Sequence, residues 1–296
     1  MKKCTWLLLL LIHISGQAQP ATPDVLIAKI KKLRPDTPWT LVASVPLRFP
    51  TYHPQGMVKI GPDFYLSSVQ VLQKPAEGSP GEGIGYLFKF DAEGKLLAQQ
   101  TLGESTLYHP GGIDYDGRYL WVPVAEYRPR SRSVLYRVDP ATLVAEEVLR
   151  HDDHLGGLVH HIDAHTLHGV SWGSRDFYQW SLNEPQKVPL RVPNPAFYID
   201  YQDCHYLGNH LMLCGGLKNY PGPANAPAFR LGGLELVSLL DHRPVHQVPV
   251  PLWSPTGAPM TNNPFWVEAT AHGLRGYFVP DDDAASTLYV YEAVIE

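Results

Sequence analysis

The sequence lacks any block of one charge. Its 24 Lys and Arg stand against 29 Asp and Glu, a formal charge of −5. No basic patch marks a nucleic-acid partner, and no acidic tail marks a solvating segment. Cysteine is scarce, with three in 296 residues. That excludes a disulfide-dense scaffold and a cysteine-ligated zinc ribbon. Long helical periodicity is also rare, as are apolar runs fit to span a bilayer. No Walker loop, no GxGxxG after a strand, no nucleophile elbow and no HExxH is found. Glycine and proline are instead plentiful, at 25 and 28 residues. Many turns and few helices point to an all-β chain.

The start, MKKCTWLLLLLIHISGQAQP, reads as a secretory signal peptide over residues 1–18. Lys2 and Lys3 supply the positive end, Trp6 to Ile14 the apolar stretch, and Gly16 to Ala18 a small-residue cleavage site. A membrane anchor is the alternative, and the run is short for one. The protein is therefore expected to be exported, periplasmic or extracellular, with no membrane span after cleavage. Residues 19–39 hold a short helix from Asp24 to Leu33, with Val25, Ile30 and Leu33 on one face, packed on the outside of the main domain. Residues 40–296 form that domain. Cys204 and Cys214 flank a hairpin turning at Gly208-Asn209, either as a cross-strand disulfide or as two buried thiols.

One unit recurs. YHPQG (Tyr52–Gly56), YHPGG (Tyr108–Gly112) and DHLGG (Asp153–Gly157) each open a strand–turn–strand–loop–strand–turn–strand pattern. Two further copies begin near Asp200 and Trp266. The spacing, about 45–65 residues, is that of propeller blades. The last copy lacks a fourth strand, and TLVASVPL (Thr40–Leu47) resembles one. The reading is a five-bladed β-propeller, six-bladed as the alternative, closed by the N-terminal strand.

In that register His53, His109 and His154 enter the central channel from successive blades, with Asp200 and then Trp266 or Glu268 completing the ring. Three imidazoles and a carboxylate would suit a divalent metal, zinc, iron, manganese or nickel. Glu268 or Asp203 would serve as general base. Arg128, Arg175, Trp172, Tyr127 and Trp266 would contact a small polar, anionic or sugar-derived substrate. The histidines would otherwise bind a ligand without metal, or only support neighbouring loops. His160 would join the channel by strand alternation, while His161, His165 and His168 would lie on the hairpin surface. The expectation is a monomeric metal-dependent hydrolase or lyase; a non-catalytic ligand- or protein-binding propeller is the alternative.

YHPGGIDYDGRYLWVPVAEYRPRSRS, DHLGGLVHHIDAHTLHGVSWGSR, YIDYQDCHYLG and the closing MTNNPFWVEA, GLRGYFVPDDD and STLYVYEA resemble a family of uncharacterised secreted β-propellers, a domain of unknown function. The resemblance covers nearly the whole mature chain. It implies the propeller fold and no activity. The chain more distantly resembles five- and six-bladed propeller hydrolases and lactonases, without their metal-ligand motifs or those of propeller glutaminyl cyclases.

Overall fold

The structure, a computed structural model, describes residues 22–223 and 228–295. The signal peptide expected over residues 1–18 lies outside them. Five antiparallel sheets follow one another along the chain. Blade one comprises His53–Ile60, Asp63–Gln73, Glu82–Phe90 and Leu96–Leu102. Blade two has a split inner strand, His109–Pro110 and Asp114–Tyr115, then Leu120–Ala125, Ser133–Val138 and Ala145–His151. Blade three runs through Leu155–His161, Thr166–Ser171, Asp176–Ser181 and Leu190–Pro193. Blade four runs through Asp200–Gly208, Leu211–Tyr220, Phe229–Ser238 and Arg243–Val250. Blade five has Phe265–Thr270, Gly273–Phe278 and Thr287–Val294 from the end of the chain. Its outer strand is Trp39–Pro46, with Thr40 opposite Glu292 and Ser44 opposite Tyr289. The ring is five-bladed and closes as the sequence pattern predicts.

Strand alternation builds the core between blades. Val122 and Val124 face blade one and meet Val58 and Leu87. Trp121, one residue before Val122, faces blade three and meets Leu158 and Trp180. The same division places Met57 and Leu66 against Tyr277 and Val290, where the last blade meets the first.

The inner strands crowd at the axis, and glycine makes the crowding possible. A Cβ on Gly111 would lie 2.5 Å from the Gly156 carbonyl oxygen, and one on Gly112 would lie 2.8 Å from Asp203. The Gly112 amide instead donates to Gly156 O at 2.8 Å. Three polar side chains then fill the axis. Asp203 accepts from the amides of Met57 and Ile113, at 2.8 and 3.0 Å. Asp114 accepts from the amides of His160 and Tyr206, at 3.1 and 3.2 Å. His205 reaches Phe265 O at 2.9 Å and Asp203 Oδ2 at 3.4 Å. All five blades are thereby tied by three residues. Burial pushes the Asp203 carboxyl up and the Asp114 carboxyl up to about 6. Burial alone would lower His205, but the two carboxylates outweigh it and raise the imidazole.

The helix is Pro23–Ile30, entered through Thr22 rather than capped by Asp24. Val25 is exposed, and Ile27 takes its place beside Ile30 and Leu33 in the core of blades four and five. Lys29 Nζ donates to Thr270 O at a blade-five turn, and Pro23 abuts Gly208 at a blade-four turn. The helix therefore packs across the lower face, not the outside of the ring, because its apolar stripe meets exposed strand ends there. Cys204 lies directly opposite Cys214, and the pair forms a disulfide. No described helix is long and apolar enough to cross a membrane.

Replacing Asp203 by alanine strands two buried amides and uncovers His205. Urea unfolding should show a loss of about 3–5 kcal/mol, with the ring's cooperativity reduced. A loss under about 1 kcal/mol would mean the axial ties are incidental.

Candidate functional site

The repeat carries its histidines to one end of the channel, above the glycine collar. There a cavity of about 220 Å³ opens to solvent. His53, His109, His154 and Asp200 line it, with Tyr127 and Trp172 from the loops after the second strands of blades two and three. Gln55, Ser171, Tyr201 and Gln202 complete much of the wall. Gln55 and Gln202 stand two residues beyond His53 and Asp200, so strand alternation carried the signal that would have found them.

Each imidazole is taken by a local partner. His109 stacks on Tyr127, with centroids 4.1 Å apart and planes at 21°. His154 meets Trp172 edge to face at 4.6 Å, and its Nδ1 donates to Glu126 O at 2.8 Å. His53 Nδ1 lies 2.9 Å from Asp282 Oδ1, drawn toward the loop of blade five. His109 and His154 are tilted at 49°, with centroids 5.4 Å apart. These rings do not converge on a common point. Among the described residues, the group whose ligand atoms all lie within 4.8 Å of one another is His161, Asp163 and His210, at the other end of the ring. A candidate metal-binding cluster is thus present, but it has two histidines and an aspartate. The expected three-histidine centre of His53, His109 and His154 with Asp200, and the metal-dependent hydrolase or lyase built on it, are overturned. The aromatic loops that share the mouth turn the rings aside, which the repeat spacing did not reveal.

Electrostatics keep two of the cavity's imidazoles uncharged. Burial, followed by His154 and His53, holds the His109 imidazole well below its usual range. Burial pushes His154 down to about 4. Both are neutral at pH 7. His109 Nδ1 is buried with no hydrogen-bond partner. Asp200 is paired with Lys218 at 3.1 Å and with Arg175 at 3.3 Å.

The remaining expected residues lie off the cavity lining. Arg128 pairs at 2.7 Å with Glu126, whose side chain is almost wholly buried. Arg175 also donates to Gly173 O and Ala196 O. Asp203 is sealed beneath the floor by the amides it accepts from. Trp266 stands lower still, against His205. Glu268 sits near the lower rim, held by Lys59 at 2.7 Å and Tyr277 at 3.0 Å. His160 bonds Asp116 Oδ2 through Nδ1 at 2.8 Å. His161 and His168 are buried rather than superficial, while His165 is exposed. Blade four packs over the two buried rings, a long-range contact that hairpin periodicity does not show.

Comparison with known proteins adds fold and family. A candidate glycoside hydrolase from Parabacteroides distasonis aligns with a TM-score of 0.50 at 10% identity, over 85% of this chain and 89% of that one. The tail fibre of Staphylococcus aureus phage P68 aligns with a TM-score of 0.48 at 10% identity, over 91% of this chain. Hydrazine synthase of Kuenenia stuttgartiensis gives 0.39 at 12% identity, over 79%. The chain spans 55% and 57% of the lengths of those last two proteins. At such identities the likeness shows the fold alone. No curated protein matches the sequence. The model of a family of unknown function, DUF6454, matches residues 15–296, and the chain belongs to that family.

Burial of neutral His154 makes stability depend on pH. An unfolded histidine titrates near 6.5 and this one near 4. Its contribution is complete above pH 6.5 and is lost as pH falls toward 4, by about 3 kcal/mol. Unfolding measured from pH 8 to 4 should show this loss in the wild type. His154→Gln, which can still donate to Glu126 O, should show less of it by a similar amount. Parallel curves would refute the assignment.

Proposed function

We propose that this member of DUF6454 uses the mouth of its propeller to bind a small, uncharged polar molecule with a ring face, of which a sugar is the simplest class. One observation carries the reading. The cavity joins two neutral imidazoles to Tyr127 and Trp172, and leaves His109 Nδ1 without a partner. Aromatic faces supply stacking area for a ring. Glutamines and neutral imidazoles supply both donors and acceptors in a sparse, fixed arrangement. An anion finds little to hold it, since Arg175, Lys218, Arg128 and Arg132 are engaged by Asp200 and Glu126.

In this reading Arg128 and Arg175 brace the mouth through carboxylates rather than gripping the ligand. Glu268 and Asp203 stay outside the binding surface, and the role proposed for the cavity is binding. Export to the periplasm or the extracellular space belongs to the same proposal, supported by the N-terminal sequence and by the Cys204–Cys214 disulfide.

The test is a calorimetric titration with neutral monosaccharides and disaccharides, beside the corresponding uronic acids. The neutral ring should bind better than its anionic counterpart. Trp172 is 40% exposed at the mouth. Trp172→Ala should weaken binding about tenfold, the scale of one aromatic stacking contact, without moving the melting temperature. Tighter binding of the acids, or no effect of Trp172→Ala on a sugar that does bind, would sink the reading.

A further inference from the structure

The lower ends of blades three and four bring together groups that the cavity does not use. His161 ends the inner strand of blade three, and Asp163 lies in the short turn after it. His210 sits at the tip of the first hairpin of blade four. We propose that His161 Nε2, His210 Nδ1 and a carboxylate oxygen of Asp163 bind one divalent transition-metal ion of the zinc class, bridging the two blades.

Three observations support the site. First, His161 Nε2 and His210 Nδ1 face one another at 2.7 Å, and the Asp163 carboxylate is within 4.8 Å of both. One proton lies between the two nitrogens. An ion that replaces it tetrahedrally, at the usual zinc–nitrogen length, needs the nitrogens about 3.3 Å apart. The hairpin tip has only to open by about half an ångström. Second, the outer partners are in place. The Tyr206 hydroxyl donates to Asp163 Oδ2 at 2.5 Å and fixes the carboxylate. The His161 ring is held between Tyr206, at 5.2 Å, and His168, at 5.5 Å. His168 is itself tied to His242. Such supports orient ligands and sharpen a metal site.

Third, His210 is an odd choice for its backbone. Asn209 and His210 form a two-residue turn with φ of 52° and 58°. Such a turn favours Asn followed by Gly. A histidine in the second place strains the chain and gains it no packing core, so a side-chain role is the return.

Two imidazoles and one carboxylate suit zinc, nickel, copper or iron better than calcium or magnesium, which take oxygen ligands. Three protein ligands leave one position open to water. The site is independent of the upper cavity, from which the glycine collar separates it.

The experiment uses the full, untagged chain stripped with EDTA and titrated with zinc by calorimetry, with elemental analysis after desalting. The wild type should take up one zinc per chain and melt at a higher temperature with zinc than without. His210→Gly suits the turn and should fold at least as well. It should bind zinc at least tenfold more weakly, on the scale of losing one ligand, as should Asp163→Asn. Trp172→Ala should bind zinc as the wild type does. No zinc uptake by the wild type at micromolar concentration would overturn the proposal. So would uptake undiminished in His210→Gly, which would place the ion on other histidines.

Discussion

The ring depends on what happens at its axis. Five inner strands meet in a space too narrow for five side chains per layer. Glycine relieves the backbone, and the few side chains that remain must earn their burial by bonding across blades. Asp203 joins blades one and two to blade four, Asp114 joins blades three and four to blade two, and His205 reaches blade five. Buried charge is costly unless it is paired and fully bonded. Here each carboxylate meets amides that no strand partner satisfies, so the polar plug completes the ladders rather than competing with them. The cavity above can keep its shape because its floor is bonded from every side.

That floor also divides the molecule. Above it His109 and His154 are neutral and lean on aromatic rings, a surface for recognising faces and edges. Below it the histidines look at one another and at a carboxylate, a surface for holding an ion. The same residue type serves two chemistries, and its neighbours decide which. His154 meets Trp172, which suits the proposed recognition, and His161 meets His210, which suits the proposed ion.

The blade pattern was legible because a propeller is local: four of the five sheets are continuous in sequence, and a His followed by Gly opens the inner hairpin of the first three. Even the closing strand, Trp39–Pro46, showed itself as a fourth strand without a blade. The top residues were legible for the same reason. His53, His109, His154, Tyr127 and Trp172 do share one cavity. Their ring orientations were not legible. These turn on contacts such as His154 with Glu126 O and His53 with Asp282, made by loops whose conformation leaves no periodic trace. The pairing of His161 with His210 was not legible for a related cause. They lie in different blades, and only the packing of one blade on the next brings them together.

The outer strand of blade five has a consequence for how the chain comes into being. Thr40 must find Glu292, 252 residues further along. Until Thr287–Val294 has been made, the first strand waits without a partner while four blades can already assemble. Contacts this distant in sequence are slow to form, and an open edge invites a stranger to pair first. Closure of the ring is therefore the most exposed step. A cell making this protein gains from keeping the nascent arc of four blades apart from its neighbours until the fifth arrives.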